Sequence, residues 1–286
     1  MRRAPVTLAL VGALLASTGV SRAAPVDVVP VHGGTGCKTS PPHVLRPGRA
    51  PLSPLRFDLT GIAHRSQTTL EVETFATRIH LLDGKWHSTT TIRKITSVSK
   101  GQGIARGQVG LVWRTTVSFP GTKTTAGGGG GTFSVKGHTD ALSGGLLGGA
   151  AGNDRFPVEP VGPGASWRIV TCDAVDEIPA KETRTYTVRS VAHGMLVLTW
   201  RDVVALDPAK RGAGSQKIGK ELVRFRLDKL RGSATGTYRV PLTHGLASES
   251  TQVTRVRYTF HAISANIPAT PVEAVLVDTR RDKPAG

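Results

Sequence analysis

The sequence predicts an all-β, antiparallel protein made of two β-meanders curved into an open barrel or a sandwich. Three observations predict it. Most of the chain after Leu55 is cut into short runs rich in Thr, Val, Ile and Phe, in which apolar and polar residues alternate with the two-residue period of a half-buried strand. Gly and Pro interrupt these runs often, 34 and 18 times in 286 residues, which leaves little room for helices. Sharp turn signals such as Asp83-Gly84 and His193-Gly194 join neighbouring runs as hairpins.

Taken in order, the chain opens with Arg2 and Arg3, an apolar run from about Val6 to Val20, and the small-residue site Ser21-Arg22-Ala23. This is the pattern of a secretory signal, with cleavage predicted after Ala23. Removal takes away three arginines and no acid, so the formal charge of +17 falls by only three. A charge of this sign attracts polyanions. For an exported chain those are an anionic envelope polymer or acidic lipid, in the periplasm, the cell wall or outside the cell. An aromatic content of 5% with no interleaved aromatic-basic motif argues against nucleic acid. No later run is long and apolar enough to anchor the chain in a membrane as a helix.

Residues 24–54 are rich in Pro and Gly and read as an extended arm. Residues 55–155 form the first strand-rich half. Within it, Thr68–His80 places Glu71 and Glu73 on one strand face. A two-residue Asp83-Gly84 turn would set His80 directly across from His87. After Thr89–Val98 a turn is expected near Lys100-Gly101. The clearest strand then follows, with Val109, Leu111, Trp113, Val117 and Phe119 on one face and Arg114, Thr116 and Ser118 on the other. The five glycines of Gly127–Gly131 predict a flexible loop, and Ser143–Gly152 a packed loop or short helical turn.

Residues 156–166 predict a Pro/Gly hinge, ending where Trp167 begins the second half, residues 167–265. There Thr183–Val191 and Met195–Trp200 form a hairpin about His193-Gly194, and Asp207–Gly219 reads as a polar loop. Val223, Phe225 and Leu227 alternate with Arg224 and Arg226, and Val256, Tyr258 and Phe260 with Arg255 and Arg257. Basic residues thus line outer strand faces. Residues 266–286 read as a tail with one short strand at Val272–Val277. Ile95–Gly101 echoes Val188–Gly194, and Gly131–Val135 echoes Gly236–Val240, which leaves open whether the halves are duplicates and whether they share one core.

An even pair of cysteines in an exported chain predicts a Cys37–Cys172 disulfide tying the arm to the strand after Trp167, worth roughly 4 to 5 kcal/mol on the chain-entropy model. Cys37 is not a lipidation site, because Gly34-Thr35-Gly36 lacks the aliphatic residue that such a site carries.

Pro47-Gly48-Arg49-Ala50-Pro51 leads into Pro54-Leu55-Arg56-Phe57, then Thr-rich strands, then the stretch from Phe156 to Trp167 and Thr185-Tyr186-Thr187-Val188. Across residues 45–262 this pattern resembles the DUF6263-type family of exported bacterial proteins, found mainly in actinobacteria. The resemblance implies an extracytoplasmic, mainly β protein and brings no activity and no catalytic residues.

Candidate chemistry is sparse. Gly214–Gly219 with Lys220 has P-loop spacing, but Glu221 stands where a hydroxyl belongs and no strand-to-helix context surrounds it. His80 and His87 offer two metal ligands, with Glu73 or His64 as a third. Glu71 with Glu73 has the form of a carboxylate pair. Asp173, Asp176 and Glu177 lack the ordered spacing of a calcium loop. There is no Gly-x-Ser-x-Gly, His-Glu-x-x-His or Cys-x-x-Cys. No cofactor and no catalytic residue follow. The function expected is that of an exported, non-catalytic binding protein for an anionic polymer or lipid, with Arg224, Arg226, Arg255 and Arg257 as its ligand-facing candidates. A secreted hydrolase and a structural cell-wall module are the alternatives.

Overall fold

The computed structural model describes residues 27–30, 37–58, 60–80, 86–118, 124–134, 136–138, 156–172, 174–175, 178–207, 210–218, 221–242, 249–263 and 271–284. The expected signal segment, the Asp83-Gly84 turn, the Ser143–Gly152 stretch and the Asp173, Asp176 and Glu177 group lie outside the described residues.

The chain is all-β and antiparallel. Its strands are β1 (Asp27–Pro30), β2 (Ser40–Arg46), β3 (Arg56–Asp58), β4 (Ser66–His80), β5 (Trp86–Ala105), β6 (Gln108–Ser118), β7 (Thr125–Ser134), β8 (Lys136–His138), β9 (Ser166–Thr171), β10 (Ala174–Val175), β11 (Ile178–Ala192), β12 (Met195–Leu206), β13 (Lys210–Ile218), β14 (Glu221–Pro241), β15 (Glu249–Ile263) and β16 (Pro271–Pro284). One large sheet runs β2-β9-β11-β12-β14-β15-β16-β4-β5-β6-β7, with β13 on β14, β1 on β13 and β10 on β11; β3 and β8 form a separate pair. The path does not close into a barrel. Two meanders, β4 to β7 and β9 to β16, are sewn together where the last strand, β16, lies between β15 and β4.

The two halves share one core. In a flat sheet β6 and β11 would stand about 34 Å apart, seven steps of ~4.8 Å. Yet Val109 and Leu111 of β6 belong to the same buried cluster as Tyr186 and Val188 of β11 and Leu196, Leu198 and Trp200 of β12. The sheet must therefore curl, with Leu55, Ile62 and Ala63 filling the space between its ends. Gly101 of β5 makes that possible, because a Cβ there would lie 2.0 Å from the carbonyl oxygen of Ile62. Without a side chain, Gly101 donates its N–H to the Arg65 carbonyl at 2.9 Å and holds the turn against the strand.

Trp167 is fully buried and stacks on Tyr186 with ring centroids 5.1 Å apart, and Phe156 lies 5.9 Å from Trp167. The expected hinge of residues 156–166 is instead part of the core, since Phe156, Val161 and Ala165 are buried in it. Ser53 and Val161 exchange both backbone hydrogen bonds, so this segment is paired through its middle, with Pro157 buried and Pro160 exposed. Cys37 and Cys172 form the predicted disulfide, Cα to Cα 5.7 Å, beside the β2–β9 pairing.

Other expectations change. Within the extended arm, β1 and β2 both join the large sheet. The five-glycine run is a strand, β7, laid along β6, where the Trp113 ring covers Gly129 and supplies the apolar surface that glycine lacks. The polar Asp207–Gly219 segment contains β13, which pairs with β14 on one side and β1 on the other. The turn expected at Lys100-Gly101 occurs instead at Arg106-Gly107, both with positive φ, after β5 passes an irregularity between Gly101 and Ile104. His193-Gly194 does form its hairpin turn. The tail is the central strand β16, much longer than Val272–Val277. The echoed segments are not equivalent in place: Gly194 is in a turn while Gly101 is inside β5, and Gly131 pairs with Leu111 while Gly236 pairs with Trp200.

Candidate functional site

Alternation along each strand sends one set of side chains into the curl and the other out to water. On β12, Leu196, Leu198, Trp200, Asp202 and Val204 point in and Arg201 and Val203 out; on β14, Ala234, Tyr238 and Val240 point in and Arg231, Ser233, Thr235, Thr237 and Arg239 out; on β15, Val256 and Tyr258 point in and Arg255 and Arg257 out. The register then fixes neighbours. Arg257 stands directly opposite Arg231, and Arg255 opposite Ser233, which in turn faces Val203. Arg201 faces Thr235 on one side and Thr185 on the other, with Arg168 beyond Thr185.

The charges are sorted by sign. Among Lys and Arg with described side chains, every one is exposed except Arg93 and Arg184; among Asp and Glu, only Glu159 and Glu249 are exposed. Two of the buried acids are neutralised from within. Glu73 is 0% exposed and is bonded by Arg93, the residue directly across from it on β5. Asp202 accepts from Arg184 at 3.0 Å, again directly across, and that guanidinium also lies 4.3 Å from the Trp200 ring. Withdrawing acids from the surface leaves several outer arginines uncompensated, although Arg226 and Arg239 keep Asp228 and Glu249. Among the described residues no ion pair involves Arg168, Arg201, Arg231, Arg255 or Arg257.

The four predicted basic residues therefore divide. Arg255 and Arg257 lie on this face and gain Arg201, Arg231 and Arg168 as companions. Arg226 is exposed but donates to Asp228 at 2.8 Å; Asp228 stands at the β14 irregularity and also bonds the Nδ1 of His261. Arg224 stands opposite Ser215 and Ile263, beyond that cluster. Arg201 and Arg231 were missed although the alternation of Trp200, Asp202 and Val204 and of Leu230 and Ala234 places both on the outer side.

The remaining candidates lose their geometry. His80 stands opposite Trp86 and His87 opposite Ile79, so the two histidines occupy positions on opposite faces. The hairpin is one residue out of step with a two-residue Asp83-Gly84 turn. The observed step puts Gly101 against the Ile62 turn and Arg93 beside Glu73. Among the described residues no group of three or more His, Cys, Asp or Glu side chains could hold a metal ion. Glu71 and Glu73 do share a face, but it is the inner one, and both are buried. The Gly214–Glu221 segment is split between β13 and β14, two antiparallel strands, and has no helix on which to seat a phosphate.

No helix among the described residues is long and apolar enough to cross a membrane. The outer positions of β12, β14 and β15 also differ from the lipid-facing band of a membrane barrel. Membrane barrels present an apolar band outward, and an arginine at the bilayer midplane costs about 2–4 kcal/mol, whereas Arg201, Arg255 and Arg231 occupy the middle of their strands.

The chain matches no model of a known family and no curated protein. Among solved structures it is similar to two mutants of the Rh. blastica porin, each 9% identical, over 75% of this chain and 99% of the porin chain, with TM-scores of 0.20 and 0.21. Scores of that size carry no argument about this protein.

Proposed function

We propose that this is an exported, non-catalytic binding protein that takes an anionic polymer on the outer face of β12, β14 and β15. The observation that carries the reading is the sorting of charge among the described side chains, with nearly all Lys and Arg exposed and most Asp and Glu withdrawn, which leaves a predominantly positive outer face. The disulfide supports an oxidising, extracytoplasmic setting, as does the resemblance to an exported family. An acyl chain is less well served. The described interior is occupied by stacked aromatics at one end and by the Glu73–Arg93 and Arg184–Asp202 pairs further along, rather than by an apolar trough.

Retention of the full chain on beads carrying polyphosphate, polyglutamate or uncharged dextran tests this. Binding to the anionic beads, absent on dextran and released as salt rises from about 0.05 to about 0.5 M, is expected. Equal retention on dextran, or none on any bead, would overturn the reading.

A further inference from the structure

Resting on that reading, we infer that the polymer is a phosphate chain other than a nucleic acid, and that its seat is Arg231, Arg255 and Arg257 with Arg201 and the hydroxyls between them. Like charges directly opposite one another on neighbouring strands destabilise a sheet. Here Arg231 and Arg257 are so placed, both exposed, with Arg255 two residues further along β15. Among the described residues no carboxylate relieves them. Strand spacing sets the Arg231 and Arg257 backbones about 5 Å apart and Arg255 about 7 Å from Arg257. An anionic chain lying across these strands meets three guanidinium groups within a few repeat units.

The residue types select the anion. Arginine presents a planar fork of donors suited to two oxygens of one group, where lysine is a point charge. Ser233, Thr235, Thr237 and Thr251 stand exposed on the same face. Hydroxyl donors beside arginine forks suit a phosphate unit, whose charged and bridging oxygens spread tetrahedrally where the two oxygens of a carboxylate lie in one plane. The described outer positions of β12, β14 and β15 carry no Phe, Tyr or Trp, and the one imidazole there, His261, is engaged by Asp228. That removes the stacking platform on which single-stranded bases rest. A phosphate backbone is what this face can read.

The test measures affinity for linear inorganic polyphosphate, for polyglutamate of equal charge and for an oligothymidylate, at one salt concentration. The wild-type chain should bind polyphosphate at least about ten-fold more tightly than either competitor. The double variant R231K/R257K keeps the charge and should lose most of that preference, while R56A/R65A, which removes two exposed arginines ahead of β4, should keep it. Equal affinity of R231K/R257K and wild type for polyphosphate would overturn the seat, and equal affinity for polyglutamate would overturn the phosphate assignment; tighter binding of the oligothymidylate would point to nucleic acid instead. In each case the polyanion reading survives. Failure of the wild-type chain to bind any of the three would overturn both. The lysine variants alter only exposed side chains, and an unchanged thermal midpoint confirms that they fold.

Discussion

Removing the disulfide by C37S/C172S should destabilise the protein by about 2–5 kcal/mol. The bond closes a loop with a sequence separation of 135. Chain entropy lost on closing such a loop, about −17 cal/mol/K, corresponds to about 5 kcal/mol at 25 °C, and removal of native disulfides generally costs 2–5. What the bond holds is specific. The Cys37 N–H donates to Asp207 Oδ1 at 3.3 Å, and the Val170 N–H donates to Ser40 Oγ at 3.2 Å where β2 joins β9. In urea, with a slope of about 3 kcal/mol/M for a chain of this size, the midpoint should fall by roughly 0.7–1.7 M. Hydrogen exchange should accelerate first at the amides of Ser40–Arg46. Reduction of the wild-type chain should reproduce both effects. A midpoint unmoved by either treatment, or exchange that rises uniformly across β11 and β12, would refute the view that the arm is pinned to the second meander by this bond.

Three other outcomes follow from the packing. Glu73→Ala removes the carboxylate that bonds the largely enclosed Arg93 guanidinium and should cost about 3–5 kcal/mol by urea unfolding, whereas E73L/R93M should cost far less because both charges leave together. Gly236→Ala puts a Cβ 2.4 Å from the Thr251 carbonyl oxygen and 2.6 Å from the Trp200 ring, and should cost about 1–3 kcal/mol with a change in tryptophan fluorescence. Deleting residues 271–286 removes the strand between β15 and β4, and the truncated chain should show no cooperative unfolding transition; a sharp melt would mean that the second meander folds alone.

Much of the architecture was legible because burial writes a period of two. Val109, Leu111 and Trp113 announce β6, Tyr186 and Val188 announce β11, and the cysteines and Trp167 find their places from compartment and size. What was hidden was hidden for identifiable reasons. The glycines of β7 carry no side chains to alternate, and its strand state is supplied by the Trp113 ring. The charged run from Asp278 to Lys283 reads as a solvated tail because it carries no apolar alternation, although its backbone pairs with both β15 and β4. The His80–Trp86 register depends on Gly101 meeting Ile62 far away, which no local turn signal encodes. For the site, alternation alone revealed Arg255 and Arg257; Arg231 became their partner only once the strands were paired.

The outer face is tested most directly by the salt dependence of polyphosphate binding. If Arg201, Arg231, Arg255 and Arg257 each neutralise a phosphate, a plot of log affinity against log salt should have a slope of about −3, taking about −0.7 per phosphate for a single chain. R231A/R257A should reduce its magnitude by about 1.4. A slope near zero, or one unchanged in that variant, would contradict a cationic outer face as the binding surface.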